Sequence, residues 1–223
     1  MDEIITYDPE LFEIEGTVLK KYKGSGNYVD IPVGVTEIGK EAFSHLDYVE
    51  NVHIPDTVKK IGALAFVHCH KLKSIVIPKS VTEIGDEVFY RCYYLKRAVI
   101  LAKVTKISVG LFECCSSLSV VELPDTVTEF CANAFRLCHA LKTITLPPNL
   151  TTIRNNVFTN TGLTTIFVPS TVTTIDDCAF SMCRDLVRLM CEPKERPAGW
   201  SENWIDREPW RDTTGIRWGC KRK

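Results

Sequence analysis

Phenylalanine recurs at positions 43, 66, 89, 112, 135, 158 and 180, in five steps of 23 residues and one of 22. A period of this length, held across most of the chain, marks a repeat architecture: each unit is one supersecondary element that cannot bury its apolar side alone. Other columns keep the same step. Pro32, Pro55, Pro78, Pro124, Pro147 and Pro169 each precede a Phe by 11 residues, and Leu101 breaks that column. Val35, Val58, Val81, Val104, Val127, Leu150 and Val172 form another, followed three residues later by Ile38, Ile61, Ile84, Ile107, Phe130, Ile153 and Ile175.

Phrases such as LKSIVIP, LKTITLP and LTTIFVP follow each Phe, and their β-branched alternation predicts one short strand per repeat. Copies of that strand stacked about 4.8 Å apart make a parallel sheet, and the chain becomes a coil. Proline falls where the strand ends, because it has no N–H for the ladder. Between proline and phenylalanine, VTEIGKEAF and VTEIGDEVF have spacings suited to a bend and a single helical turn, so the opposite wall is expected to be irregular.

The unit Ile-Pro-x-x-Val-x-x-Ile-Gly-x-x-Ala-Phe-x-x-Cys-x-x-Leu resembles the BspA-like leucine-rich repeat family of bacteria and some protists, over about residues 28–191. The resemblance implies a leucine-rich repeat solenoid with a parallel β-sheet on one face and short turns or helical turns on the other. Seven repeats are expected at 28–191. Residues 1–27 are expected to form an N-terminal cap, with a hairpin around Glu15-Gly16 lying on the first repeat. Residues 192–223 hold Trp200, Trp204, Trp210 and Trp218 and end in the basic run Lys221-Arg222-Lys223; they are expected to cover the last repeat's open core as a C-terminal cap. Gly-Trp and Trp-Gly endings accompany bacterial members of the family, so the resemblance implies a bacterial source.

Composition narrows the function. A formal net charge of -1 provides no broad positive field, which argues against nucleic acid as a partner. No stretch approaches the roughly 20 apolar residues of a membrane span. The opening MDEIITYDPE is acidic where a secretion signal is basic, so a cytoplasmic location is expected for the chain as written, and surface display only for a fragment of something longer.

Ten cysteines invite a chemical role, but Cys69, Cys92, Cys115, Cys138 and Cys183 each stand three residues after a Phe, in a column that Leu46 fills first. A shared column with Leu predicts a buried ladder of free, inert thiols whose Cβ vectors run parallel and do not converge into disulfides. Cys131, Cys178, Cys191 and Cys220 have no such assignment. Metal binding by Cys69 with His68 and His70, or by Cys114 and Cys115 with His139, lacks any C-x-x-C pair. G-x-S-x-G, H-E-x-x-H and phosphate-binding glycine loops are also absent. Glu37, Glu83 and Glu129 share a column, but a repeated column is architectural, whereas an active site needs unlike groups converging. No catalytic residue, cofactor or metal is therefore expected.

Strand alternation leaves two columns facing outward. One runs His53, Val76, Val99, Glu122, Thr145, Phe167, Met190; beside it run Asn51, Ser74, Arg97, Val120, Thr143, Thr165, Arg188. A partner-binding surface is expected at His53, Val76, Val99, Glu122, Thr145, Phe167 and Met190, flanked by Arg97, Val120 and Arg188. The expected function is a non-catalytic protein-binding scaffold. The alternatives are a cell-surface adhesin or a piece of one, since the resemblance implies host or cell contact, and a thiol- and histidine-based metal-binding protein.

Overall fold

The computed structural model describes residues 7–205 and 215–221. The chain winds through three successive ladders per coil, and each ladder answers to one part of the repeat. The longest strands form the first: Tyr28–Asp30, Asn51–His53, Ser74–Ile77, Arg97–Ile100 and Val120–Glu122, all parallel. Their register is the period itself, with Tyr28 opposite Asn51 and Ser74 opposite Arg97. After residues 141–147, which run through without strand assignment, the sheet resumes with Thr165–Val168, Arg188–Cys191 and Ile216–Arg217.

The second ladder replaces the expected irregular wall. Two-residue strands Glu37–Ile38, Lys60–Ile61 and Glu83–Ile84 pair in parallel, as do Lys106–Ile107, Glu129–Phe130, Thr152–Ile153 and Thr174–Ile175. Each buries its Ile or Phe and leaves its polar partner toward solvent. The ladder is interrupted between the third and fourth of these, where Ser108 donates its hydroxyl, at 2.6 Å, to the Ile84 carbonyl. The corresponding carbonyl of Ile61 takes the backbone N–H of Gly85 instead.

The turn that carries each Phe is not helical, and no α-helix occurs among the described residues. Its backbone alternates in hand. Residues two before and two after each Phe hold positive φ: Glu41 and His45, Leu64 and His68, Glu87 and Arg91, and so on to Cys178 and Met182, with Gly110 in the fourth copy. The alternation aims every second N–H at the next coil, while Ala42 and Ser44 donate back to Gly39 and Glu41 in their own. Glu41, Phe43 and His45 donate to the carbonyls of Ala63, Ala65 and Val67 in the next coil, and Leu64, Phe66 and His68 repeat the pattern one coil on. A helical turn would spend those donors within its own coil; here they join neighbours, which satisfies buried backbone that the curve would otherwise strand.

Inside the coil the Phe rings stack from Phe43 to Phe180, with centroids 4.8 to 5.7 Å apart and planes within 25°. Each ring is fully buried, contributing on the order of 1.5–3 kcal/mol by transfer from water. Both ends of this column are closed by other aromatics. The hairpin Phe12–Glu15/Val18–Tyr22 sets Tyr22 against Phe43 at 5.5 Å and joins the second ladder through Val18–Leu19. At the far end Trp204 meets Phe180 edge-on at 5.7 Å, and Trp200 is buried beside it with its indole N–H donating to the Val172 carbonyl at 3.0 Å. Trp218 leans on Trp200 at 5.7 Å, whereas Trp210, Arg222 and Lys223 lie outside the described residues.

One repeat is a residue short, and the structure shows where. Between Thr161 and Leu163 the chain cuts inward at Gly162, whose N–H bonds the Cys138 carbonyl. A Cβ on Gly162 would stand 1.9 Å from the His139 carbonyl oxygen, so only glycine fits this short cut.

Candidate binding surface

The thiol column faces inward. Cys69, Cys92, Cys115 and Cys138 donate their S–H to the carbonyls of Phe43, Phe66, Phe89 and Phe112, at 3.0, 3.2, 3.1 and 3.2 Å. Cys183 does the same to Phe158 at 3.0 Å, where Thr161 takes the place of a cysteine and shares the same carbonyl. The carbonyls of Phe66, Phe89 and Phe112 also accept the backbone N–H three residues on, and the thiol of the next coil adds a weak second bond without bringing a strongly polar group inside. Burial pushes the thiols of Cys92, Cys115 and Cys138 well up, and that of Cys69 to about 12. They are packing groups, not nucleophiles.

The histidines beside them turn outward. His68 stacks on His45 at 4.4 Å, and burial, followed by the charges of His45, Arg91 and His70, holds its pKa below the ordinary value. His70 takes Asp47 at 2.8 Å through Nδ1. Cys69 therefore lies inside the coil while His68 and His70 lie on its surface. Likewise Cys115 is buried, Cys114 half-buried and His139 exposed. Among the described residues no three His, Cys, Asp or Glu side chains are placed to hold a metal ion.

The column of Glu37, Glu83 and Glu129 is interleaved with bases along the second ladder. Lys60 lies 3.6 Å from Glu37 and 3.8 Å from Glu83; Glu129 takes Lys106 at 3.4 Å and Arg154 at 2.6 Å. These carboxylates are neutralised in turn along the stack, a surface arrangement with no pair left to share a proton.

The outward columns of the first ladder do not form one continuous apolar row. Val76 is 49% exposed and Val120 40%, but Val99 is only 7% exposed. Arg97 lies two residues before Val99 on the same face and Glu122 is its register partner, and these two form an ion pair across it. Val99 is thus removed from the predicted surface, and Arg97 and Glu122 are committed to one another. His53 is exposed with Nδ1 on Asp30 at 2.6 Å; Thr145 and Arg188 are exposed, and Phe167 and Met190 are half-buried register partners.

The apolar surface is concentrated on the N-terminal half. Tyr28, Val33 and Leu101, none of them in the predicted set, join Val76 along a groove of about 1050 Å³ whose floor includes His53 and Ser74. Their exposures are 60, 71 and 44%. A match to the BspA type leucine rich repeat region covers residues 21–142 and 64–187, in six copies. The chain belongs to the BspA-type leucine-rich repeat family.

Solved bacterial leucine-rich repeat proteins share the architecture. A leucine-rich repeat protein from Eubacterium ventriosum is 28% identical, with a TM-score of 0.69 over 89% of this chain and 50% of its own. The Treponema pallidum leucine rich repeat protein is 26% identical, with a TM-score of 0.73 over 81% of this chain and 90% of its own. A Bacteroides ovatus leucine-rich repeat protein is 26% identical, with a TM-score of 0.67 over 89% and 55%. The chain therefore spans about half the length of two of these relatives. No curated protein matches it.

Within this BspA-type solenoid the missed groove residues did leave a trace in the sequence. Leu101 is the one break in the proline column, a large apolar side chain at a corner where the other repeats place proline. Tyr28 begins a strand one full period before Asn51, so its column extends a coil earlier than the outward rows traced from His53.

Proposed function

We propose that this BspA-type solenoid is a non-catalytic scaffold that holds a protein partner on its open sheet, at the groove formed by Tyr28, Val33, Val76 and Leu101. The exposure of these four apolar side chains around one concavity carries the reading. A contiguous apolar patch on an otherwise charged surface is held in contact with water at a cost that a partner relieves. Tyr28 supplies the kind of amphipathic ring that anchors interfaces. Strands Asn51–His53 and Ser74–Ile77 form one wall of the groove, and the turns that follow them form the other. The polar side chains that line it, among them His53, Asp56, Ser74 and Lys79, come from two successive coils.

The test is Val33→Asp combined with Val76→Glu, both at exposed positions. The variant is expected to keep the wild-type melting temperature within a few degrees and to lose the protein that wild type captures from its source. Recovery of the same protein in equal yield by the variant would sink the proposal.

A further inference from the structure

A second concavity lies at the corner before the open sheet, where the groove residues play no part. Lys71, Lys73, Lys96, Tyr94 and Glu50 surround a cavity of about 370 Å³. They form a small grid set by the repeat. Tyr94 stands one coil beyond Lys71 in the same column, and Lys96 one coil beyond Lys73, with Glu50 one coil before it. Lys73 is paired with Glu50 at 2.5 Å. Neither Lys71 nor Lys96 has a carboxylate in ion-pair range among the described residues, and the Tyr94 ring is 60% exposed. Three ammonium groups against one carboxylate leave a local charge of +2 on a chain whose total is -1.

We propose that this corner binds an anionic saccharide of the uronate class, one ring lying on Tyr94 with its carboxylate among Lys71, Lys73 and Lys96. The parts of the site select that chemistry. Lysines are compact point charges with no fixed fork, so they hold a carboxylate in varied poses and impose no bidentate geometry. An exposed tyrosine presents an apolar face with a polar tip, which suits a ring having one C–H face and a hydroxylated rim. Glu50, paired with Lys73, keeps lone pairs for hydroxyl donors, which every sugar ring has. That carboxylate also repels a high density of negative charge, so one charge per ring fits the site better than nucleic acid.

Calorimetric titration of the whole chain with a galacturonate hexamer tests this, with cellohexaose as the neutral control and hexaglutamate as the acidic-peptide control. Wild type is expected to bind the galacturonate with an affinity that falls as salt is added, and to bind neither control as tightly. Lys71→Gln with Lys96→Gln is expected to weaken it at least tenfold, and Tyr94→Ala at least fivefold, with melting temperatures unchanged because all three side chains are exposed. No binding by wild type, equal binding of cellohexaose, or indifference to the lysine changes would overturn the proposal. Binding of hexaglutamate as tight as galacturonate, with Tyr94→Ala without effect, would overturn it in favour of an acidic peptide. Val33→Asp with Val76→Glu leaves this site intact, so the two surfaces fail or stand separately.

Discussion

The Cys92 thiol donates a hydrogen bond of 3.2 Å to the carbonyl of Phe66, which lies 26 residues earlier, one coil and three positions back in the repeat. That contact ties the two strongest columns together: the Phe that stacks also exposes a carbonyl to the core, and the Cys three residues after the next Phe answers it.

Cys92→Ala removes both the donor and the sulfur's volume from a fully buried site. A loss of about 1–2 kcal/mol is expected, from the lost S–H hydrogen bond and the small cavity together, while the Phe66 carbonyl keeps the backbone N–H of Cys69. Equilibrium denaturation of the variant measures it; a loss below about 0.5 kcal/mol would mean the hydrogen bond and packing there contribute little.

Thiol chemistry should divide the ten cysteines by place in the coil. Cys69, Cys92, Cys115, Cys138, Cys183 and Cys191 are buried, and Cys114, Cys131, Cys178 and Cys220 are not. Timed alkylation of native protein, followed by peptide mass mapping, is expected to label the second group well before the first. Early labelling of Cys92 or Cys115 would contradict the inward column.

Acid should loosen the charged ladder at Glu129. The hydrogen bond from Arg154 holds its carboxyl below the ordinary value, aided by the charges of Arg154 and Lys106 against the opposing effect of burial. A depressed folded pKa contributes stability that is present above the unfolded value, near 4.5, and is lost as pH falls through and below it. Unfolding of wild type and Glu129→Gln between pH 7 and 3 is expected to show a difference that shrinks with acidity. A gap that stays constant across that range would refute the linkage.

Backbone hand gives another handle. Glu41 has φ 58° and an exposed side chain. Glu41→Val puts a β-branched residue in the left-handed region and is expected to cost about 1–2 kcal/mol, whereas Glu41→Asn tolerates it and stays near wild type. Equal melting temperatures for the two variants would show that this turn is not left-handed in solution.

The Phe, Val and Ile columns predicted burial correctly because a residue repeated every 23 positions meets its own copy in the next coil, whatever else the chain does. The thiol ladder was legible for the same reason, with Leu46 betraying its environment. Of the two expected forms of that wall, short turns hold and the helical turn does not: VTEIGKEAF has apolar spacing compatible with a helical turn, and spacing alone does not report φ. Asn133, Asn156, Asn160 and Gly110, residue types that accept the left-handed region, were the available hint.

The period, the stacking and the columns of the spine were readable from residue order alone, since they follow from like residues recurring at a fixed step. Which outward side chains meet solvent was settled by packing between coils. Val99 and Val76 occupy equivalent positions, yet one lies beneath the Arg97–Glu122 ion pair and the other opens onto a groove. Exposure at a repeated site depends on the residues where the repeats differ, a full coil away along the chain and adjacent in space.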